Sequence, residues 1–306
     1  MLHFLLACSL LLAGPTSAGA FNLSDQVVGR VSVFTNDYLG DGRDRWRSGS
    51  YFRSTFFGPA WTGDLPTTRP LIEFRLRGET IAPSDISALP SAGERPYVGV
   101  VAAGVFGHWA RGATGVKLGA ELVATGPQTG VARFVERSHD ALGFSPVRAT
   151  SGQLADGFYP TISGEVYRLI ARSRQRSFDL RPFVEVQAGV ETLARAGVDL
   201  IFGTSADGAL LTRDPVTGHL LTVATVRRQQ GLMPSMGADV AYVQSSAYLP
   251  ASSGVQVKHL RMRARAGARY VAGGRDLFVG FAWLGPEYES QPSGQVVGSL
   301  SFNYRF

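Results

Sequence analysis

The chain has 306 residues, a formal net charge of +6, 37 glycines and near-neutral mean hydropathy. That length suits one large domain or two modest ones. Beyond residue 20 no apolar run approaches the roughly 20 residues of a membrane-spanning helix, so helical membrane proteins are excluded. Lysine occurs only at Lys117 and Lys258, which leaves the positive balance to arginine. For an exported chain that balance favours an anionic lipid headgroup over nucleic acid, because the planar guanidinium fork suits phosphate.

The N-terminus reads as an export signal. An apolar run, "LHFLLACSLLLAG", is followed by small residues ending "SAGA". Ala18 and Ala20 stand where a signal peptidase reads, which predicts cleavage after Ala20. Residues 1–20 are then a signal peptide and 21–306 a single domain, with neither repeats nor a linker. Cys8 lies inside the apolar run, so the mature chain leaves the reducing cytosol without disulfide staples.

The first expected strand, 27–37, runs into "TNDYLGDGRDRWRSGS", which crowds Asn36, Asp37, Asp41, Asp44, Arg45 and Ser48 together. Such a stretch is either a solvated loop or half of an active site. Further strands are expected at 48–58, 69–79, 96–109, 113–126, 159–173, 178–193, 195–204, 219–228, 235–247, 256–272, 275–288 and 295–306. Several alternate with period two. Ile72, Phe74 and Leu76 oppose Glu73, Arg75 and Arg77; Leu260, Met262 and Ala264 oppose Arg261, Arg263 and Arg265; Leu300 and Phe302 oppose Ser299 and Ser301.

Runs near 10 residues with one apolar face fit tilted membrane strands better than a soluble sandwich, whose strands average five or six. Trp46, Phe56, Phe57, Trp61, Trp109, Trp283 and Tyr304 are candidates for the interfacial girdles, and Phe306 gives an aromatic terminus. The predicted fold is an antiparallel transmembrane β-barrel. Thirteen candidates are one more than an even count, and even strand numbers rule in such barrels, so either one candidate is wrong or one strand is missing; twelve strands are expected, and 206–234 has the weakest pattern.

Between the fifth and sixth strands, "GPQTGVARFVERSHDALG" predicts a helix over 127–142, with Pro127 at its start and Gly143 at its stop. Val131, Val135, His139 and Leu142 fall in one stripe. A lone histidine there is ordinarily a packed core side chain. However, if the N-terminus is periplasmic, strands one, three and five run outward. Asn36 and Asp37, the segment Gly93–Gly99 and the helix then meet on one extracellular rim.

Taken in order, these motifs resemble the outer-membrane lipid A 3′-O-deacylases, the LpxR-like family. The resemblance rests on "TNDYLGDGRDRWRSGS", on "RPYVG" at Arg95–Gly99, on "TGPQTG" with His139, on Gln153, and on the ending "PEYESQPSGQVVGSLSFNYRF". It implies a twelve-stranded barrel with a helix on its wall. The implied activity is calcium-dependent removal of the 3′-linked acyloxyacyl chain of lipid A in the outer leaflet, by a monomer. His139 would be the general base, Asn36 and Asp37 the metal and oxyanion site, and Ser48 a hydroxyl that stands where the family has threonine. Arg95, Arg45 and Gln153 would hold substrate. Val135, Glu94 and Gly157 depart from the family pattern. They motivate two other readings: a non-catalytic channel or adhesin, and an outer-membrane phospholipase. No Gly-x-Ser-x-Gly elbow, zinc-type histidine pair or phosphate loop is present.

Overall fold

The computed structural model describes residues 26–304 apart from 90, 173–177, 204–207, 227–229 and 274. The expected signal peptide and Phe306 lie outside the described residues. The strands are β1 (Gln26–Asn36), β2 (Trp46–Gly58), β3 (Leu71–Ala82), β4 (Val98–Arg111), β5 (Thr114–Thr125), β6 (Gly157–Arg168), a two-residue β7 (Ala171–Arg172), β8 (Phe178–Ala188), β9 (Glu191–Phe202), β10 (Ala209–Arg213), β11 (Leu220–Thr225), β12 (Gly231–Ser246), β13 (Leu260–Ala272), β14 (Arg275–Leu284) and β15 (Gln295–Tyr304). Antiparallel pairing runs β6-β5-β4-β3-β2-β1-β15-β14-β13-β12-β9-β8, and β6 pairs with β8 to close the ring. The result is a twelve-stranded barrel.

The alternation expected from sequence is inverted relative to a soluble protein. Phe74 and Leu76 are 44% and 54% exposed, whereas Glu73, Arg75 and Arg77 between and beside them are buried. The outer face meets lipid, and the inner charges neutralise one another. Arg77 pairs with Glu121 at 2.9 Å, Lys117 with Glu165 at 3.0 Å and Arg195 with Glu185 at 3.3 Å. Several of the expected girdle residues do not face lipid, and outward aromatics are instead found at positions such as Tyr51, Phe74, Tyr242 and Phe281. Trp46, Phe56 and Trp109 are buried, and of the described tryptophans Trp283 faces outward from a strand at 39% exposure.

The ninth expected strand, 219–228, is the surplus one and is not part of the wall. It forms β11, which pairs only with β10 in a separate hairpin. Both come from the connection between β9 and β12, and the hairpin fills the lumen. Leu210, Leu221 and Val223 pack on Val31, Val33, Phe52, Phe56 and Phe278 of the wall. Arg213 donates to Glu165 and Asp199, and Arg263 donates to the carbonyls of Pro215 (2.7 Å) and Val216 (2.9 Å). A two-stranded hairpin is marginal alone; here the barrel interior completes it.

The connections after β1, β3, β5, β8, β12 and β14 gather at one rim. The longest carries the helix α1 (Val131–Leu142). It starts later than the expected 127: Pro127–Thr129 form a separate 3₁₀ turn, and Gly130 at φ 72° breaks the path before Val131. The left-handed conformation is open to glycine at little cost. Ala132 and Val135 pack with Ala82, Ile86, Tyr97 and Ala149, and His139 is buried on the same helix. Leu142, expected in that stripe, is 67% exposed instead. The helix parts from the wall at its last turn, where Gly143 (φ 71°) turns the chain back and the Phe144 N–H bonds the His139 carbonyl at 2.9 Å.

The helix lies outside the barrel. On β4, Val98, Val100 and Ala102 are buried inward, so Gly99 belongs to the outward face with Val101. A Cβ at Gly99 would stand 2.8 Å from Thr129 Oγ1 and 2.9 Å from Val131 Cβ. Gly99→Val is therefore expected to push the helix off the wall while the barrel persists. Native mobility of unheated protein in gels should be kept, and amide exchange of residues 131–142 should rise. Any activity that depends on the helix should fall by about 100-fold, the usual cost of misplacing a reactive group by an ångström.

Candidate active site between helix and wall

Asn36 ends β1 and points outward. Its Oδ1 accepts the Tyr38 N–H at 2.8 Å, and its Nδ2 donates to the Ser48 carbonyl at 3.0 Å. This Asx-type turn reverses the chain at once. Asp37 follows, fully buried: its Oδ2 accepts the Arg45 N–H at 2.7 Å, and the Ser48 hydroxyl lies 3.4 Å from its Oδ1. Burial pushes the Asp37 carboxyl up to about 8, and the nearby carboxylates of Asp44 and Asp41 add to that push. Ser48 Oγ also lies 3.3 Å from Asp44 Oδ1.

His139 arrives from the helix. Its Nδ1 lies 2.8 Å from the Ser145 carbonyl, which can only accept, so Nδ1 carries a proton, and in the neutral ring the lone pair is on Nε2. Nε2 faces Asp44 Oδ2 at 3.9 Å. The structure thus joins Asp37, Ser48, Asp44 and His139 in one chain of neighbours, reaching from the strand end to the helix. Phe144 stands edge-on to the imidazole at 5.6 Å, and Tyr38 touches Phe144 at 5.8 Å.

The other expected site residues sit differently. Arg45 uses its N–H on Asp37, while its guanidinium pairs with Asp41 at 2.8 Å and lies over Trp46. Arg95 is 1% exposed and pairs with Glu287, where burial works against its charge and the Glu287 carboxylate supports it. Gln153 caps the short turn Ala149–Gly152, with its Oε1 buried and unpartnered.

The departures from the family pattern acquire reasons. Glu94 accepts the Ser84 N–H and the Tyr288 hydroxyl, each at 3.0 Å, and so ties two rim connections together. Val135 fills the helix–wall contact. Neither role has a signal in the sequence, because both depend on loops meeting across the rim. The same is true of Ser145, which fixes the His139 tautomer through a main-chain carbonyl.

A hard cation takes oxygen ligands. Among the described residues no three His, Cys, Asp or Glu side chains converge closely enough to hold a metal ion by themselves. The donor chemistry nevertheless fits calcium. Asp37 is buried beside two further acids, and Asp41 Oδ1 is buried without a partner. Negative charge gathered this way favours a cation, which would return the Asp37 carboxyl to its ionised form. Asn36, Asp37 and adjacent carbonyls would hold the ion.

The fold and this arrangement define an outer-membrane β-barrel with a polar cluster between its rim helix and its first strand connection. The sequence matches the family described as outer membrane protein LpxR over residues 4–306, and the chain belongs to that family. It is accordingly an outer-membrane lipid A-modifying enzyme. Among solved structures it is similar to LpxR from Salmonella typhimurium, with a TM-score of 0.75 and 14% identity over 91% of this chain and 100% of that one. It is more distantly similar to the β-domain of the Bordetella autotransporter BrkA, with a TM-score of 0.43 and 12% identity over 91% and 99% of the two chains. Among curated proteins none matches.

Proposed function

We propose that this protein is a carboxylic ester hydrolase that removes the 3′-linked acyloxyacyl chain of lipid A, with its site facing the extracellular side. The observation that carries this reading is His139. Its Nδ1 proton is held by the Ser145 carbonyl, and its free Nε2 is aimed at the acid cluster on the outer wall. A neutral imidazole with one bare nitrogen is suited to take a proton from water near neutral pH.

In this mechanism His139 Nε2 accepts the proton of the attacking water, and the imidazolium then gives it to the sugar oxygen, which leaves as the hydroxyl when its bond to the acyl carbon breaks. Asp44 stabilises that imidazolium across the 3.9 Å gap. Asn36 and the Ser48 hydroxyl fix the Asp37 loop. The Tyr38–Phe144 ring pair stands beside the imidazole. Calcium, when bound at Asn36 and Asp37, supplies positive charge to the ester carbonyl oxygen.

The channel reading is disfavoured by the hairpin that fills the lumen, which leaves a cavity of about 90 Å³ lined by charged residues such as Arg47, Glu79, Arg261 and Glu287. The direct test is expression in a host with fully acylated lipid A, followed by mass spectrometry. Loss of the 3′ acyloxyacyl unit is expected. Intact lipid A with cleaved glycerophospholipid would favour the phospholipase reading instead. Chelation with EGTA should stop deacylation, and added calcium should restore it; activity that persists in EGTA would remove calcium from the account.

A further inference from the structure

Tyr38 and Phe144 are 60% and 45% exposed, yet both are held tightly by their backbones. The Tyr38 N–H is fixed by Asn36 Oδ1 at 2.8 Å, and the Phe144 N–H by the His139 carbonyl at 2.9 Å. Each ring is therefore registered to one half of the candidate active site. They come from two different connections and meet at 5.8 Å, with Phe144 edge-on to the imidazole. Directly below on the wall, Phe34 shares the outward face of β1 with Asn36. It is 49% exposed and sits opposite Leu300 (41%) and Tyr51 (44%). An apolar track thus runs from the site down the outside of the barrel into the bilayer zone.

We propose that Tyr38 and Phe144 are the seat of the acyl chain whose ester is cleaved, with Phe34 and Leu300 receiving its distal part. This rests on the esterase reading. Outward residues such as Phe34 and Leu300 would line any barrel wall. Tyr38 and Phe144 are not wall residues, and a ring pair left open beside a base is explained by an apolar occupant. A saturated chain fits, because the pair offers ring faces and the strands below offer aliphatic and aromatic side chains. The chain would lie along the wall, so that its ester reaches His139 Nε2 while its tail stays in the hydrocarbon. The rings then read chain length, since each methylene they cover adds to binding.

The test uses the full-length protein in detergent micelles and two lipid A substrates, one with a butanoyl and one with a tetradecanoyl 3′ ester. The wild type is expected to prefer the longer ester in kcat/KM. In Tyr38→Ala and Phe144→Ala that preference should fall at least about tenfold, as the loss of a buried aromatic contact implies, mainly through KM. Phe144→Leu, which keeps apolar area, should recover most of it. An unchanged ratio in the alanine variants, whatever their absolute rates, would overturn the seat and leave the rings as props for His139. A wild type inert on both esters would sink the esterase reading itself, and the seat with it.

Discussion

Replacing His139 with alanine will leave the barrel intact and cut deacylation by about 10²–10⁴-fold, the range a general base contributes. The imidazole is buried but lies outside the apolar helix–wall cluster. Ala132 and Val135 remain to pack on Ala82, Ile86 and Tyr97, so the helix should stay in place. Removing the ring removes the only imidazole placed beside the Asp44 carboxylate among the described residues. Mass spectra of lipid A should then show the intact 3′ chain, with normal heat-modifiability of the protein in gels. His139→Gln adds a finer check, because glutamine can keep a hydrogen bond to the Ser145 carbonyl but cannot take a proton. If the glutamine variant deacylates as the wild type does, the imidazole is not the base.

Arg213→Met should be the most destabilising single change in the lumen. The guanidinium is buried between Glu165 and Asp199, at 3.2 Å and 2.8 Å, and lies over the Phe183 ring. Methionine keeps the length and loses the charge. Two buried carboxylates then lack part of their compensation, a loss worth about 3–5 kcal/mol when a buried pair is broken. Lys117 still serves Glu165 and Arg265 still serves Asp199, so the low end of that range is expected. The temperature at which the folded band converts to the unfolded one in gels reads this directly. Lys258→Ala is the matched control: its pair with Glu289, at 3.6 Å, is 38% and 54% exposed, and such pairs contribute about 1 kcal/mol or less. An Arg213→Met conversion temperature equal to that of the control would show that the hairpin is not pinned by charge.

The barrel was legible because period two survives wherever a strand separates lipid from a polar interior. β3, β13 and β15 each show it, and each was located to within a few residues. β1 is different. Val31 and Val33 face inward as apolar residues, because they meet the hairpin and not water. The same hairpin explains why 219–228 looked like a wall strand: Leu221 and Val223 alternate as a half-buried strand does, but the surface they cover is the inside of the barrel. Periodicity reports that one face is covered without naming the cover.

The site was legible in its two halves, the strand end at Asn36–Asp37 and the histidine of the helix. Their junction through Asp44 was not, since it depends on how far the first rim connection folds back. For Arg95 the ion-pair partner was not legible in the sequence. It was expected to hold an anionic headgroup, and its partner at Glu287 lies almost two hundred residues away.

The hairpin also bears on how the molecule is made. β9 and β12 pair along most of their length, and the hairpin between them packs on the inside of the wall. Meanwhile, among the described residues, the register between β1 and β15 runs from Phe34↔Leu300 to Asn36↔Gly298, whereas β14 and β15 pair from end to end. The seam between the first and last strands is a natural last door. Cargo this bulky has to be stowed before that door shuts, so an assembly factor working on the nascent sheet would handle a curved, already loaded half-shell and not an empty cylinder.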